Sequence, residues 1–153
     1  MTAIAYDGET LATDSLLFGG KDSEIKCDYN FNKIWFVRDF VFSVCGNESD
    51  YFKLENQLKK CSDFDSLMLV ELSSDSEAII FWKQTPKQYF THDGNHIIIN
   101  EIKTPTTLGA VEDYAFALLH SGMKSENIIK QCIKRHTGAG GKVRSINIKE
   151  WLQ

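Results

Sequence analysis

Residues 40–45 read Phe-Val-Phe-Ser-Val-Cys, an apolar run with no alternation. A strand with one face in water alternates apolar and polar side chains. A continuous run of this length fits a strand covered on both faces. The runs at 2–6 (Thr-Ala-Ile-Ala-Tyr) and 78–82 (Ala-Ile-Ile-Phe-Trp) are of the same kind. Such strands need a second sheet on one side and helices on the other. The predicted class is therefore α+β, a four-layer αββα sandwich of two antiparallel sheets between helix layers.

Turn chemistry orders the pieces. Asp7-Gly8 joins runs 2–6 and 10–14 in a first hairpin, and Gly19-Gly20 marks a further turn. Arg38-Asp39 joins runs 33–37 and 40–45. Gly46-Asn47 breaks the strand. Ser49 then caps a predicted helix with Tyr51, Leu54, Glu55 and Leu58 at helical spacing, closed by Lys59-Lys60. Runs 67–72 and 78–82 read as a third hairpin, and runs 89–91 and 97–102 as a fourth across Asp93-Gly94. Residues 111–120 are helical up to Gly122. Ser125 opens a helix with Ile128, Ile129, Cys132 and Ile133 on one side and Lys124, Lys130, Lys134 and Arg135 on the solvated side. A glycine turn at 138–141 leads into a closing strand over 143–148.

Other classes are disfavoured. At 153 residues with two prolines and no linker or repeat, a single domain over 1–153 is expected, burying roughly two-thirds of its unfolded surface. A net charge of −4 with scattered basic residues gives no nucleic-acid footprint. No apolar run is long enough to span a membrane, and no basic-then-apolar leader opens the chain, so a cytoplasmic protein is expected. Cys27, Cys45, Cys61 and Cys132 form no Cys-x-x-Cys pair and no zinc spacing with His92, His96, His120 or His136, so four reduced thiols and no metal are expected.

One residue carries distinctive chemistry. If Met1 is removed, Thr2 holds a hydroxyl and a free α-amine. An α-amine with a pKa of about 7.7–8.0 can take the hydroxyl proton at neutral pH, so nucleophile and base stand on one residue. With Met1 in place, that nitrogen is an amide.

The motifs Thr2-Ala3-Ile4-Ala5-Tyr6-Asp7-Gly8, Leu11-Ala12-Thr13-Asp14-Ser15, Asn32-Lys33-Ile34 and Val44-Cys45-Gly46 precede the first helix in that order. Paired helices and Gly140-Gly141 precede the last strand. This order resembles the N-terminal-nucleophile hydrolases of the proteasome β-subunit and HslV type, and more narrowly the short proteasome-like proteins encoded by bacteriophages. The resemblance implies a threonine peptidase or amidohydrolase without metal or cofactor. Thr2 matches the nucleophile, Asp14 and Lys33 the ion pair that favours its deprotonated form, and Gly46 the N–H donor to the oxyanion. It also implies a homo-oligomer acting on a peptide or amide substrate, in the host cytoplasm if phage-encoded.

Two positions depart from that pattern. Leu108-Gly109-Ala110-Val111 stands where a Gly-Ser-Gly motif is expected, and Arg135-His136-Thr137 where an Asp is expected. Both absent groups orient the nucleophile's amine. The rival reading is a non-catalytic relative that keeps the fold as a binding or assembly module, for instance a phage protein that binds a host factor or a small signalling molecule. Ordinary roles stand beside each assignment: Lys33 as a solvated strand-edge lysine, Asp14-Ser15 as a turn cap, Gly46 as a backbone-angle requirement. Cys45 reads as a buried strand-end thiol or a reactive one, and His136 as a surface histidine or a substitute for the Asp.

Overall fold

The computed structural model describes residues 2–19, 26–136 and 139–153; Met1, Gly20 of the predicted Gly19-Gly20 turn, Thr137 and Gly138 lie outside them. The chain forms two compact units, residues 1–34 with 103–153 and residues 35–102.

The first unit is built on an antiparallel sheet in the order β10-β1-β2-β11: Thr106–Gly109, Ala3–Tyr6, Thr10–Thr13 and Arg144–Asn147. A separate ribbon pairs β3 (Leu17–Gly19) with β4 (Lys26–Asp28). The Asp7-Gly8 turn is held by the Asp7 carboxylate, which accepts the N–H groups of Thr10 (2.8 Å), Glu9 (3.1 Å) and Ser125 (3.1 Å). Burial pushes this carboxyl up, but those N–H groups outweigh it and hold its pKa below the usual value of 3.8. One side chain thus joins the first hairpin to the start of α4 (Ser125–Arg135).

The sheet face under the helices is made of small residues. Ala5 lies opposite Ala12 and Thr107, and Ala12 opposite Ser145. With no long side chains there, α3 (Glu112–His120) and α4 come close. Val111, Ala115, Ile128, Ile129 and Cys132 pack with Ala3, Ala5 and Ala12 into one buried cluster. The opposite face, carrying Ile4, Tyr6 and Leu11, is fully buried too. On α3 the outer side stays bare: Ala115 is buried, yet Phe116 is 44% exposed.

The second unit is an antiparallel sheet in simple order β5-β6-β7-β8-β9: Trp35–Val37, Phe40–Cys45, Glu77–Trp82, Gln88–His92 and Ile97–Glu101. Every residue of β6 is buried, as its unbroken apolar run requires. Register aligns Trp35, Phe42, Ile80, Phe90 and Ile99 in one row across all five strands. Tyr51 and Phe52 of α1 (Ser49–Leu58) cover its Trp35 end, and Phe64 of α2 (Phe64–Met68) covers Phe90.

Several expectations are corrected. Residues 67–72 are no strand. Asp63 and Ser66 form a reciprocal capping box that starts α2, in which Leu67 is buried, and residues 70–72 beyond it are in neither strand nor helix. The third hairpin therefore does not exist: β7 pairs with β6 and β8. Ser49 is the first helical residue rather than the cap; the Asn47 side chain accepts its N–H (3.0 Å) and hydroxyl (2.9 Å). Strands β10, β3 and β4 and a terminal turn of helix, α5 (Ile148–Trp151), were not expected. The first strand begins at Ala3, with Thr2 just before it, and β5 begins at Trp35, after Lys33.

Ala12→Leu forces a branched side chain between β2 and α4. Overpacking of this kind costs about 1–3 kcal/mol, read as a lower urea midpoint at unchanged slope. Undiminished stability would contradict the close approach of helix and sheet.

Candidate active site

The first hairpin sets Asp14 beside the start of β1. Ile4 pairs with Thr13, so the next positions face each other: Asp14 donates its N–H to the Ala3 carbonyl (3.2 Å), and the Ala3 N–H returns to Asp14 Oδ1 (2.9 Å). Past β2 the chain turns away, and Asp14 Oδ2 accepts the N–H groups of Leu16 (3.3 Å) and Gly140 (3.1 Å). Lys33 Nζ donates to Asp14 Oδ1 at 2.9 Å. The two side chains are 1% and 0% exposed, so this is a fully buried ion pair. A solvated strand-edge role for Lys33 is thereby removed. The Asp14 carboxylate accepts three backbone N–H groups and one ammonium, which offsets the cost of taking the charge out of water.

Ser15 extends the support. Its N–H donates to the Gly140 carbonyl, its hydroxyl donates to the Tyr29 carbonyl (2.6 Å), and its oxygen accepts the Lys142 N–H (2.7 Å). Gly141 closes the turn at φ +74°, where a Cβ would collide with Ser15 Oγ and the Tyr29 carbonyl.

Thr2 is 7% exposed, and its carbonyl accepts the Ala110 N–H (3.1 Å). The strand pairing of β1 with β10 therefore runs one residue past Ala3–Gly109, bringing residues 109–110 to the candidate nucleophile. Ala110 supplies a backbone N–H there and no hydroxyl. A hollow of about 300 Å³ opens beside it, lined by residues 109–114 and His136. The His136 ring packs on Tyr114 with centroids 4.9 Å apart.

Gly46 belongs to the second unit, in the turn between β6 and α1. Its φ is +119°, a region that glycine alone adopts readily. Cys45 before it is buried and donates to Glu77 Oε2 (3.4 Å). In the first unit, burial pushes the Cys132 thiol up to about 11, with the Asp14 charge adding to it. Both thiols are buried. Among the described residues, no group of three or more His, Cys, Asp or Glu is placed to hold a metal ion, and no helix is long and apolar enough to cross a membrane.

The sequence missed the Ala110–Thr2 contact, the Ser15 scaffold and the Tyr114–His136 pair. Each joins residues far apart in the chain, and no local spacing announces them.

No family model matches the chain, and no curated protein matches it. Solved structures do. The chain is similar to BPH from Thiobacillus denitrificans at TM-score 0.67 and 15% identity, over 95% of each chain. The same protein in complex with epoxomicin gives 0.65 and 14%, over 95% of this chain and 96% of that one. Eukaryotic HslV from Trypanosoma brucei gives 0.63 and 13%, over 95% and 98%. At these identities the likeness establishes the fold: α+β, two antiparallel sheets with helices, as in BPH and HslV.

The ion pair makes an asymmetric stability prediction. Asp14→Asn removes the charge that pairs with Lys33 in the buried pair and turns an amide toward backbone donors, a loss of about 3–5 kcal/mol. Lys33→Met leaves Asp14 its three N–H donors and costs less. Urea unfolding of both variants checks the order; the reverse order would show that Asp14 does not anchor the pair.

Proposed function

We propose that this chain is a threonine-type N-terminal-nucleophile hydrolase of peptide or amide bonds, its 153 residues working as one domain. The observation that carries the reading is the Asp14 carboxylate. It accepts both the Lys33 ammonium and the N–H of Ala3, the residue directly after Thr2. Lysine is almost never fully buried without a reason, and here the carboxylate that holds the buried Lys33 ammonium also accepts the N–H that follows Thr2.

In this reading Met1 is removed first. The Thr2 amine takes the hydroxyl proton as Oγ bonds to the substrate carbonyl carbon. The carbonyl oxygen becomes an oxyanion, for which the resemblance assigns the Gly46 N–H as donor, while Lys33 with Asp14 favours the deprotonated hydroxyl. Collapse breaks the C–N bond, and the leaving amine carries off the proton held on the Thr2 amine. Water cleaves the resulting ester by the same route and frees Thr2. Turnover is slow, because Ala110 brings no hydroxyl and His136 stands where the resemblance expects an acid near that amine. Those two positions also favour the second reading, a binding or assembly module on the same fold, such as a bacteriophage protein that engages a host factor or a small signalling molecule.

Turnover of a peptide-amide panel separates the two. Met1-bearing protein is inert, since an amide nitrogen is no base. Protein starting at Thr2 turns over, Thr2→Ala abolishes it and Lys33→Met lowers it strongly. Inert Thr2-initiated protein leaves the binding module; turnover that survives Thr2→Ala moves the nucleophile elsewhere.

The apolar outer side of α3, with Phe116 and Ala117 exposed, fits a contact between copies of the chain. Sedimentation at tens of micromolar is expected to show an oligomer that Phe116→Asp weakens; a monomer under those conditions refutes the assembly.

A further inference from the structure

Among the described residues, four strand edges bound the two larger sheets, and three of them are guarded. β5 is only three residues long, β11 carries Arg144, and β10 follows directly on Pro105. Short strands, charges and proline are ordinary means of keeping an edge from pairing with another chain. β9, the last strand of the second unit, has none of these along Ile97-Ile98-Ile99-Asn100, and its only charge, Glu101, stands at its end. Ile98 and Ile99 are 53% and 44% exposed.

Pairing on the inner side fixes what the outer side offers. Asp93 donates its N–H to the His96 carbonyl (3.2 Å), and Ile102 donates its N–H to the Lys87 carbonyl (2.9 Å). Both pairs continue the β8–β9 register, in which Thr91 faces Ile98 and Tyr89 faces Asn100. Hydrogen-bonded and non-hydrogen-bonded pairs alternate along an antiparallel ladder. Ile98 and Asn100 therefore bond to β8, while Ile97, Ile99 and Glu101 turn their N–H and C=O groups outward. Side chains alternate as well: Ile97 and Ile99 share the face of Phe42, Ile80 and Phe90, and Ile98 takes the other. Phe64 packs on Phe90 and is itself 40% exposed, so an apolar strip runs from α2 to this edge.

We propose that β9 is an interface between two copies of this chain, paired antiparallel about a two-fold axis at Ile98. The outward-facing groups allow an axis only on a residue, and the side chains choose which one. An axis at Ile98 sets Ile97 of one copy against Ile99 of the other in hydrogen-bonded pairs, Ile98 against Ile98, and Glu101 against the uncharged Asn95. An axis at Ile99 sets Glu101 against Ile97, one at Asn100 sets it against Ile99, and one at Ile97 sets it against Asp93, a like charge. The edge is thus complementary to itself in one register. A two-fold contact of this kind closes and uses up the free edge of both copies. Two five-stranded sheets become one of ten strands. The interface holds whether or not the chain is catalytic.

The test is made in the Phe116→Asp background, which removes a contact through α3. Sedimentation at tens of micromolar is expected to show a dimer there, and Ile99→Lys is expected to halve its mass to that of a monomer. Ile99→Pro does the same, since it removes an N–H that β8 does not use; urea midpoints check that both variants stay folded. Ile98→Cys places one thiol of each copy at the axis, in a non-hydrogen-bonded pair with Cα atoms about 4.5 Å apart, within disulfide reach. Oxidation by dissolved oxygen with copper–phenanthroline, the oxygen taking two electrons and two protons from the thiols, is expected to trap it as a covalent dimer. Asn100→Cys, on the same face but two residues from the axis, stays at the level of the unmutated side chains. Where Ile99→Lys fails to fold, the cysteine pair decides. A monomer in the Phe116→Asp background overturns the interface, as does a dimer that a folded Ile99→Lys variant retains. Equal trapping of Ile98→Cys and Asn100→Cys overturns the register.

Discussion

The Asp14 carboxylate ties together chain from four places. Its two oxygens hold the start of β1 at Ala3, its own following loop at Leu16, the segment after α4 at Gly140 and the Lys33 ammonium. A buried carboxylate is tolerable only when nearly every lone pair is used, and this one meets that condition. The position of Thr2 follows, because Ala3 is pinned on one side by Asp14 and Thr2 itself on the other by the Ala110 N–H. The candidate nucleophile is thus placed by backbone hydrogen bonds on both flanks, independent of its own side chain.

The layer above follows from the same strands. Ala3, Ala5 and Ala12 leave room for α3 and α4, and Cys132 of α4 comes near enough to Asp14 for that charge to help raise its thiol. In the second unit rigidity has a different source. There a row of large side chains, from Trp35 to Ile99, sets the sheet, and Ser76, hydrogen-bonded to Asp50 and to the Asn47 N–H, sets the turn at its end. Each candidate catalytic group sits where a strand ends and a polar network takes over from the ladder.

The sequence showed what repeats locally. The unbroken run of β6, the Asp7-Gly8 and Asp93-Gly94 hairpins and the one-sided apolar pattern of α4 all mark elements that form as read. It failed where the deciding partner is distant or the local signal is ambiguous. β10 is Thr-Thr-Leu-Gly, too short to show a period, and it exists because β1 offers an edge. Residues 67–72 are apolar enough for strand or helix, and the Asp63–Ser66 capping box decides. For the site, Thr2 is chemically conspicuous from the first line, but Asp14, Lys33 and Gly46 stood out only through a resemblance in motif order. That Lys33 is buried, and that Ser76 reaches Asn47 across 29 residues, are facts of the tertiary fold alone.

The central claim is that Thr2 acts through hydroxyl and amine together. A peptide α,β-epoxyketone tests it most directly, since Oγ adds to the ketone and the α-amine then opens the epoxide, closing a ring with no atom lost. Protein starting at Thr2 should gain the full mass of the reagent, and peptide mapping should place it on Thr2, with no gain in the Met1-bearing chain. Equal labelling of both forms, or an adduct mapped to Cys45 or any other side chain, would contradict the account.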